Sequence, residues 1–380
     1  MSELKALTAA ASQLRARGQS FLSATVVRVR GSGYRRPGAR MLADETGLLA
    51  GSISGGCLER DVATRGAFRT RSSRCVLVTY NEGEDALDER SGSGCQGVID
   101  VLVERHDPAD DDVFALMQRC LREETRALNL SVFRSTHPAA PVGARLTLRE
   151  GEYTGSPALR EAFEAEAALA LAERRSTYVS QRICAEGEIE ALVEVIEPPP
   201  HLFVFGSGHD VGPLIGVAQQ VGWSCSVWDA QPRISTRERL RAADHYWSGS
   251  LADVLLGLNG CARPIAVVMG HHLEQDRAVL RGLLDSRAHY IGVLGPRRRT
   301  EQMLADCQAE GLSIEPATRA RIYAPVGLAL GAETPAEIAL AIVAEAQSVL
   351  TQSDARALRS DPGSIHPRAL PAREWTLDAE

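Results

Sequence analysis

From His201 onward the chain repeats one pattern, a short apolar run followed in most cases by a helical stretch of roughly ten or more residues. The runs are LFVFG (202–206), CSVWD (225–229), HYW (245–247), PIAVVMG (264–270), YIGVLG (290–295) and RIYAP (321–325). Strands joined through helices run parallel, and a parallel sheet needs helices over both faces to bury its backbone and side chains. Residues 201–352 are therefore expected to form an α/β domain with a doubly wound, Rossmann-like parallel sheet.

Ahead of this pattern stands Glu197-Pro198-Pro199-Pro200. Consecutive prolines continue neither a helix nor a central strand, so 197–200 reads as a stiff extended linker. Residues 1–196 form the first domain in this reading, a mixed α/β unit. FLSATVVRVRG (21–31) is a strand, 40–49 a hairpin turning at Asp44-Glu45-Thr46-Gly47, and 58–68 a helix. Strands follow at 75–80 and 98–104, helices at 111–122 and 157–174, and a further strand after the turn at Glu186-Gly187. The order of these strands is not legible. The tail 353–380, with scattered Pro, Arg and Ser, is expected to be loosely held.

Charge and composition narrow the function. The net charge is −7, and the longest basic run is Arg297-Arg298-Arg299, too short for a nucleic-acid surface. Leu4, Leu7, Ala11 and Leu14 follow helical spacing among charged residues, so the N-terminus reads as an amphipathic helix and not a signal peptide. No apolar run reaches the roughly 20 residues that span a bilayer. The eight cysteines include no C-x-x-C pair, which favours reduced thiols and a cytoplasmic protein.

Gly206 and Gly208 end the first strand of the C-terminal pattern, with His209 beside them and a helix following. Glycines at that place allow a tight turn and a close approach of backbone to phosphate. The third glycine comes one residue late, at Gly212, because Val211 holds the usual position. Asp229 ends the next strand, where an acidic side chain can bind a ribose hydroxyl. A nucleotide-bearing ligand such as NAD(P) fits this context; a Rossmann-shaped domain with an altered nucleotide site is the competing reading. His271 and Arg297 follow later strands on the same carboxyl edge and are further candidate contacts.

Two glycine-rich turns in the first half carry thiols. Gly55-Gly56-Cys57 leads directly into a helix, where free N–H groups favour anions and the helix dipole lowers a thiol pKa. Cys95 sits in Ser91-Gly92-Ser93-Gly94-Cys95-Gln96-Gly97. Cys75, inside CVLVTY, reads as structural.

GSGYRRPGARMLADETG, GSISGGCLERDV and GCQGVIDVLVE resemble the N-terminal domain of the XdhC/CoxI family. HLFVFGSGHDVGPL, VVMGHHLEQDRAVL, YIGVLGPRRRTEQML and APVGLALGAETPAEIALAIVAEA resemble its C-terminal Rossmann-like domain. The resemblance implies a non-catalytic accessory protein that binds molybdenum cofactor (molybdopterin, in mono- or dinucleotide form) and shelters it from oxidation. It further implies help with sulfuration by a cysteine desulfurase, and delivery to a xanthine dehydrogenase or carbon monoxide dehydrogenase-type molybdenum hydroxylase. A homodimer is expected. On this view Cys57 and Cys95 are the molybdenum or sulfur contacts. The chain departs from the family pattern at Gln96, before Gly97, and at Gly270, where many members have threonine.

Two other function classes compete with this one. The Rossmann half suggests an NAD(P)-dependent oxidoreductase, although no acid–base pair accompanies Gly208. Cys57 and Cys95 suggest a thiol-based redox-sensing interaction protein.

Overall fold

The computed structural model describes residues 2–31, 34–81, 97–174, 178–184, 187–360 and 374–376. The chain divides into two compact units between Glu197 and Pro198.

The first unit runs α1 (Glu3–Ala16), β1 (Phe21–Gly31), β2 (Arg40–Asp44), β3 (Gly47–Gly51), α2 (Cys57–Arg69), β4 (Cys75–Asn81), β5 (Gly97–His106) and α3 (Val113–Glu123). It continues with β6 (Ala127–Ser135), β7 (Arg145–Arg149), β8 (Glu152–Gly155), α4 (Pro157–Ala172), β9 (Tyr178–Cys184) and β10 (Gly187–Ile196). One antiparallel sheet has the order β3-β2-β1-β5-β4; the other contains β9-β10-β6-β7-β8.

Strand alternation sorts the side chains into layers. Val101 and Val103 pack with Val62 of α2 on one face of the first sheet, while Leu102 meets Val27, Phe133 and Leu192 between the sheets. Ala191 and Val193 turn the other way, towards Phe163 and Ala167 of α4. The result is a helix–sheet–sheet–helix stack. Helices α1 and α3 pack together with Phe21 and Leu42 in a separate cluster.

Charges are also buried in this unit. Arg40 donates to both oxygens of Glu194, at 3.3 and 3.0 Å, and to Thr25. Arg145 lies 2.6 Å from Glu104, and Arg28 pairs with Glu190. Each of these pairs joins a strand of one sheet to a strand of the other. Buried ions of this kind must keep their partners, because an orphaned charge there costs about 3–5 kcal/mol.

The second unit runs β11 (His201–Phe205), α5 (Val211–Gln220), β12 (Ser224–Asp229), α6 (Ile234–Arg239), β13 (His245–Ser248), α7 (Leu251–Gly260), β14 (Pro264–Val268) and α8 (Leu273–Leu284). It closes with β15 (Tyr290–Val293), α9 (Arg297–Ala309), α10 (Pro316–Arg319), β16 (Ile322–Tyr323) and α11 (Pro335–Thr351). Its sheet is wholly parallel, ordered β13-β12-β11-β14-β15-β16, as the strand–helix alternation requires. Leu202 and Val204 face α5 and α11; Phe203 and Phe205 face α7, α8 and α9. Helix α11 starts at a capping box: Thr334 accepts from the Glu337 N–H, and the Glu337 carboxylate accepts from the Thr334 N–H at 2.8 Å.

In the tail, β17 (Glu374–Thr376) pairs with β9 of the first unit. No helix among the described residues is long and apolar enough to cross a membrane.

Candidate functional site

The glycine turn before α2 is organised by Glu59. One carboxylate oxygen accepts from the N–H groups of Ile53 (2.8 Å) and Ser54 (2.7 Å) and from the Ser52 hydroxyl (2.9 Å). The other accepts from the Gly56 N–H at 3.0 Å and from the Ser54 hydroxyl. Burial works against the charge, but the bonds from Ser54 and Ser52 outweigh it and hold the Glu59 carboxyl at about 2. Sequence alone leaves these N–H groups free for an outside anion. Those of Ile53, Ser54 and Gly56 instead close on a carboxylate three to six residues downstream.

What stays open is the outer face of the turn. Gly55 and Gly56 are exposed, and a methyl group on either would meet nothing within 4 Å. They border a cleft of about 550 Å³ lined also by Tyr34, Arg35, Leu48, Arg60 and Ala63. The backbone of Cys57 opens α2 at this turn, behind Gly56 with its φ of 127°. Cys95 lies outside the described residues.

The thiols of Cys75, Cys120, Cys225, Cys261 and Cys307 are desolvated. Cys75 donates to Glu104, and burial together with that carboxylate pushes its thiol far up. Burial moves Cys120 up to about 11. Cys225, Cys261 and Cys307 are buried. Groups so desolvated are poor nucleophiles and poor metal ligands near neutrality.

In the second unit the strand order reverses between β11 and β14, which opens the crevice where such sheets bind ligands. Gly206, with φ 139°, sits where a methyl group would lie 2.6 Å from the Met269 carbonyl oxygen, so only glycine lets these two loops approach. At Gly208 a methyl group would lie 2.5 Å from Asp210 Oδ1 and 3.1 Å from His271 Nε2. The space that the second glycine leaves for pyrophosphate in dinucleotide folds is here taken by the chain's own carboxylate and imidazole. Asp210 Oδ1 is buried and accepts no hydrogen bond from a described residue.

The remaining candidates line the same edge. Asp229 is buried, accepting from Tyr246 OH at 2.7 Å and from the Gln231 N–H at 3.0 Å. Arg239 donates to the Ser207 carbonyl and lies 3.2 Å from the His209 ring nitrogens. Arg297 is exposed at the start of α9. Thus the structure brings Gly206, Gly208, His209 and His271 into one turn region. Asp229 is committed to its own neighbours.

Among the described residues, His106, Asp110 and Asp112 form a cluster of metal-ligand types, but their atoms are already engaged. His106 bridges Asp112 (2.5 Å) and Ser23 (2.8 Å), and Asp112 caps α3 through the Phe114 and Ala115 N–H groups. Asp110 accepts from Arg74 (2.5 Å) and from the Asp107 N–H (2.7 Å). This is a helix cap and not a vacant coordination site.

Two family models match segments of the chain. The XdhC Rossmann domain model matches residues 202–346, and the XdhC and CoxI family model matches 14–81. A Bacillus subtilis (strain 168) protein, named as a probable xanthine dehydrogenase subunit, is 30% identical over 326 residues, which is 85% of this chain and 91% of that one. The chain belongs to the XdhC and CoxI family. Its relatives include the "Molybdenum cofactor insertion chaperone PaoD" of Escherichia coli (strain K12), 24% identical, covering 87% of this chain and 84% of that protein. A crystal structure of a xanthine dehydrogenase from Bacillus halodurans matches 95% of this chain and 98% of that one, with a TM-score of 0.69 and 27% identity.

Within this XdhC and CoxI member, sequence reasoning misses the cleft walls Tyr34, Arg35 and Arg60. The first two stand in GSGYRRPGAR, whose paired arginines beside an aromatic are a usable signal. It also misses Asp210 and Asp276. Asp276 is 2% exposed and lies 2.5 Å from Arg299; burial pushes its carboxyl up, against the pull of that guanidinium.

Proposed function

We propose that this chain is a non-catalytic carrier that binds molybdenum cofactor and readies it for a molybdenum hydroxylase of the xanthine dehydrogenase family. The observation that carries the reading is the extent of the match to PaoD, named as a molybdenum cofactor insertion chaperone, across both units. The site supports it. An open cleft ends at exposed glycines beside the residue that starts α2, Cys57, and a soft thiolate is the ligand type that molybdenum–sulfur chemistry favours.

In this reading Cys57 and Cys95 contact molybdenum or its sulfido sulfur, a cysteine desulfurase supplies that sulfur, and the target is of the xanthine or carbon monoxide dehydrogenase type. The carrier works in the cytoplasm as a homodimer. His209, His271 and Arg297 offer a second contact edge for the cargo's phosphate; Gly206 and Gly208 shape the turn there, with Asp210 filling the space at Gly208.

The alternative of an NAD(P)-dependent oxidoreductase fits less well. Asp210 places a negative charge beside Gly208, and the Asp229 carboxylate is already bonded to Tyr246 and Gln231. Protein purified from cells that make molybdenum cofactor should carry pterin and molybdenum without NAD(P), and should activate cofactor-free hydroxylase. Bound NAD(P) with no pterin would overturn the proposal.

A further inference from the structure

The cleft beside Gly55 and Gly56 has a basic and aromatic wall formed by Arg60, Arg35 and Tyr34. Arg60 is exposed in the first turn of α2, and its side chain makes no hydrogen bond or ion pair with a described residue. Arg35 reaches both carboxylate oxygens of Glu3, at 2.5 and 2.6 Å, in an exposed pair of the kind that contributes little to stability. Tyr34, on the same wall, is 69% exposed although large aromatic rings are usually covered. The one carboxylate among the described residues that line the cleft, Glu59, is buried and turned into its own loop by five donors. The cleft therefore offers two guanidinium groups, one of them loosely latched, and an uncovered ring. The cleft, about 550 Å³ in volume, is open to solvent.

We propose that this wall recognises a planar heterocycle bearing a phosphate, with Arg60 and Arg35 on the phosphate and Tyr34 on the ring face. Glu3 holds Arg35 until the phosphate displaces it. Guanidinium groups suit this task because they meet phosphate oxygens through two parallel N–H bonds. The assignment rests on the carrier reading and specifies which end of the cargo the first unit holds.

The test uses the full chain and two probes: the fluorescent phosphorylated pterin obtained by oxidising molybdopterin, and the same pterin after phosphatase treatment. Wild type should prefer the phosphorylated form by about tenfold, as charge-assisted bonds predict, and added salt should shrink the preference. Arg60→Ala should remove most of the preference, Arg60→Lys should keep part of it, and Arg35→Ala should weaken it. Glu3→Gln, which frees Arg35, should tighten binding of the phosphorylated probe alone. Equal binding of the two probes by wild type, or an unchanged preference in Arg60→Ala, overturns the assignment while leaving pterin binding intact. Failure to bind either probe overturns the assignment and counts against a pterin cargo in this cleft as well.

Discussion

Asp276 packs against Gly270 so closely that a methyl group on that glycine would lie 1.8 Å from its Oδ1. The carboxylate cannot easily yield, since it is 2% exposed and its other oxygen is held by Arg299.

Gly270→Ala should therefore destabilise the second unit by about 1–3 kcal/mol, the usual cost of overpacking. Asp276→Ala should also destabilise, by leaving Arg299 without its partner. In the double variant the clash is absent, so the loss should be less than additive. Denaturant unfolding of the four proteins checks this, and strict additivity would refute the packing argument.

Glu59 makes the glycine turn depend on pH. Its folded pKa, about 2, lies below the unfolded value of about 4.5. Its contribution is complete above the unfolded value and is lost as pH falls from there through the folded value. Glu59→Gln should cost about 2 kcal/mol at neutral pH through weakened charged hydrogen bonds. It should also flatten the acid limb of the stability curve between about pH 4.5 and 2. Melts of both proteins across that range test the assignment.

Cys57→Ser replaces a soft ligand with a hard one of similar size. The variant should stay folded and yet fail to activate a cofactor-free hydroxylase, with Cys95→Ser giving a similar or milder loss. Full activation by the double variant would make the thiols bystanders.

The crowding at Gly208 predicts weak dinucleotide binding. Wild type should show little NADH fluorescence enhancement at micromolar concentrations, because Asp210 opposes pyrophosphate at the turn. Asp210→Asn should bind NADH more tightly than wild type. Tight binding by the wild type, unaffected by this substitution, would restore the nucleotide reading of the crevice.

The parallel sheet was legible because six apolar runs alternate with helices, a rhythm that admits few folds. Strands β6 to β8 were not. In β6, Asn129 and Ser131 alternate with leucines, yet they are buried too, with the Asn129 amide reaching Glu194 on the neighbouring β10. A strand covered on both faces loses the polar-out signal on which its recognition depends. At the candidate sites the glycines stood out by composition. Their meaning did not, because it depends on side chains such as Glu59, Asp210 and His271, whose directions are set by tertiary packing.

The carrier role proposed above requires release as well as capture, and the turn before α2 bears on that demand. Glu59 supplies an anion to the amides of Ile53, Ser54 and Gly56, so the loop's shape is set by the chain itself. Arriving cargo then meets a finished surface and loses no affinity to ordering the chain. Transfer between carrier and enzyme can then be governed by which protein grips the ligand harder, with no refolding step to slow the exchange.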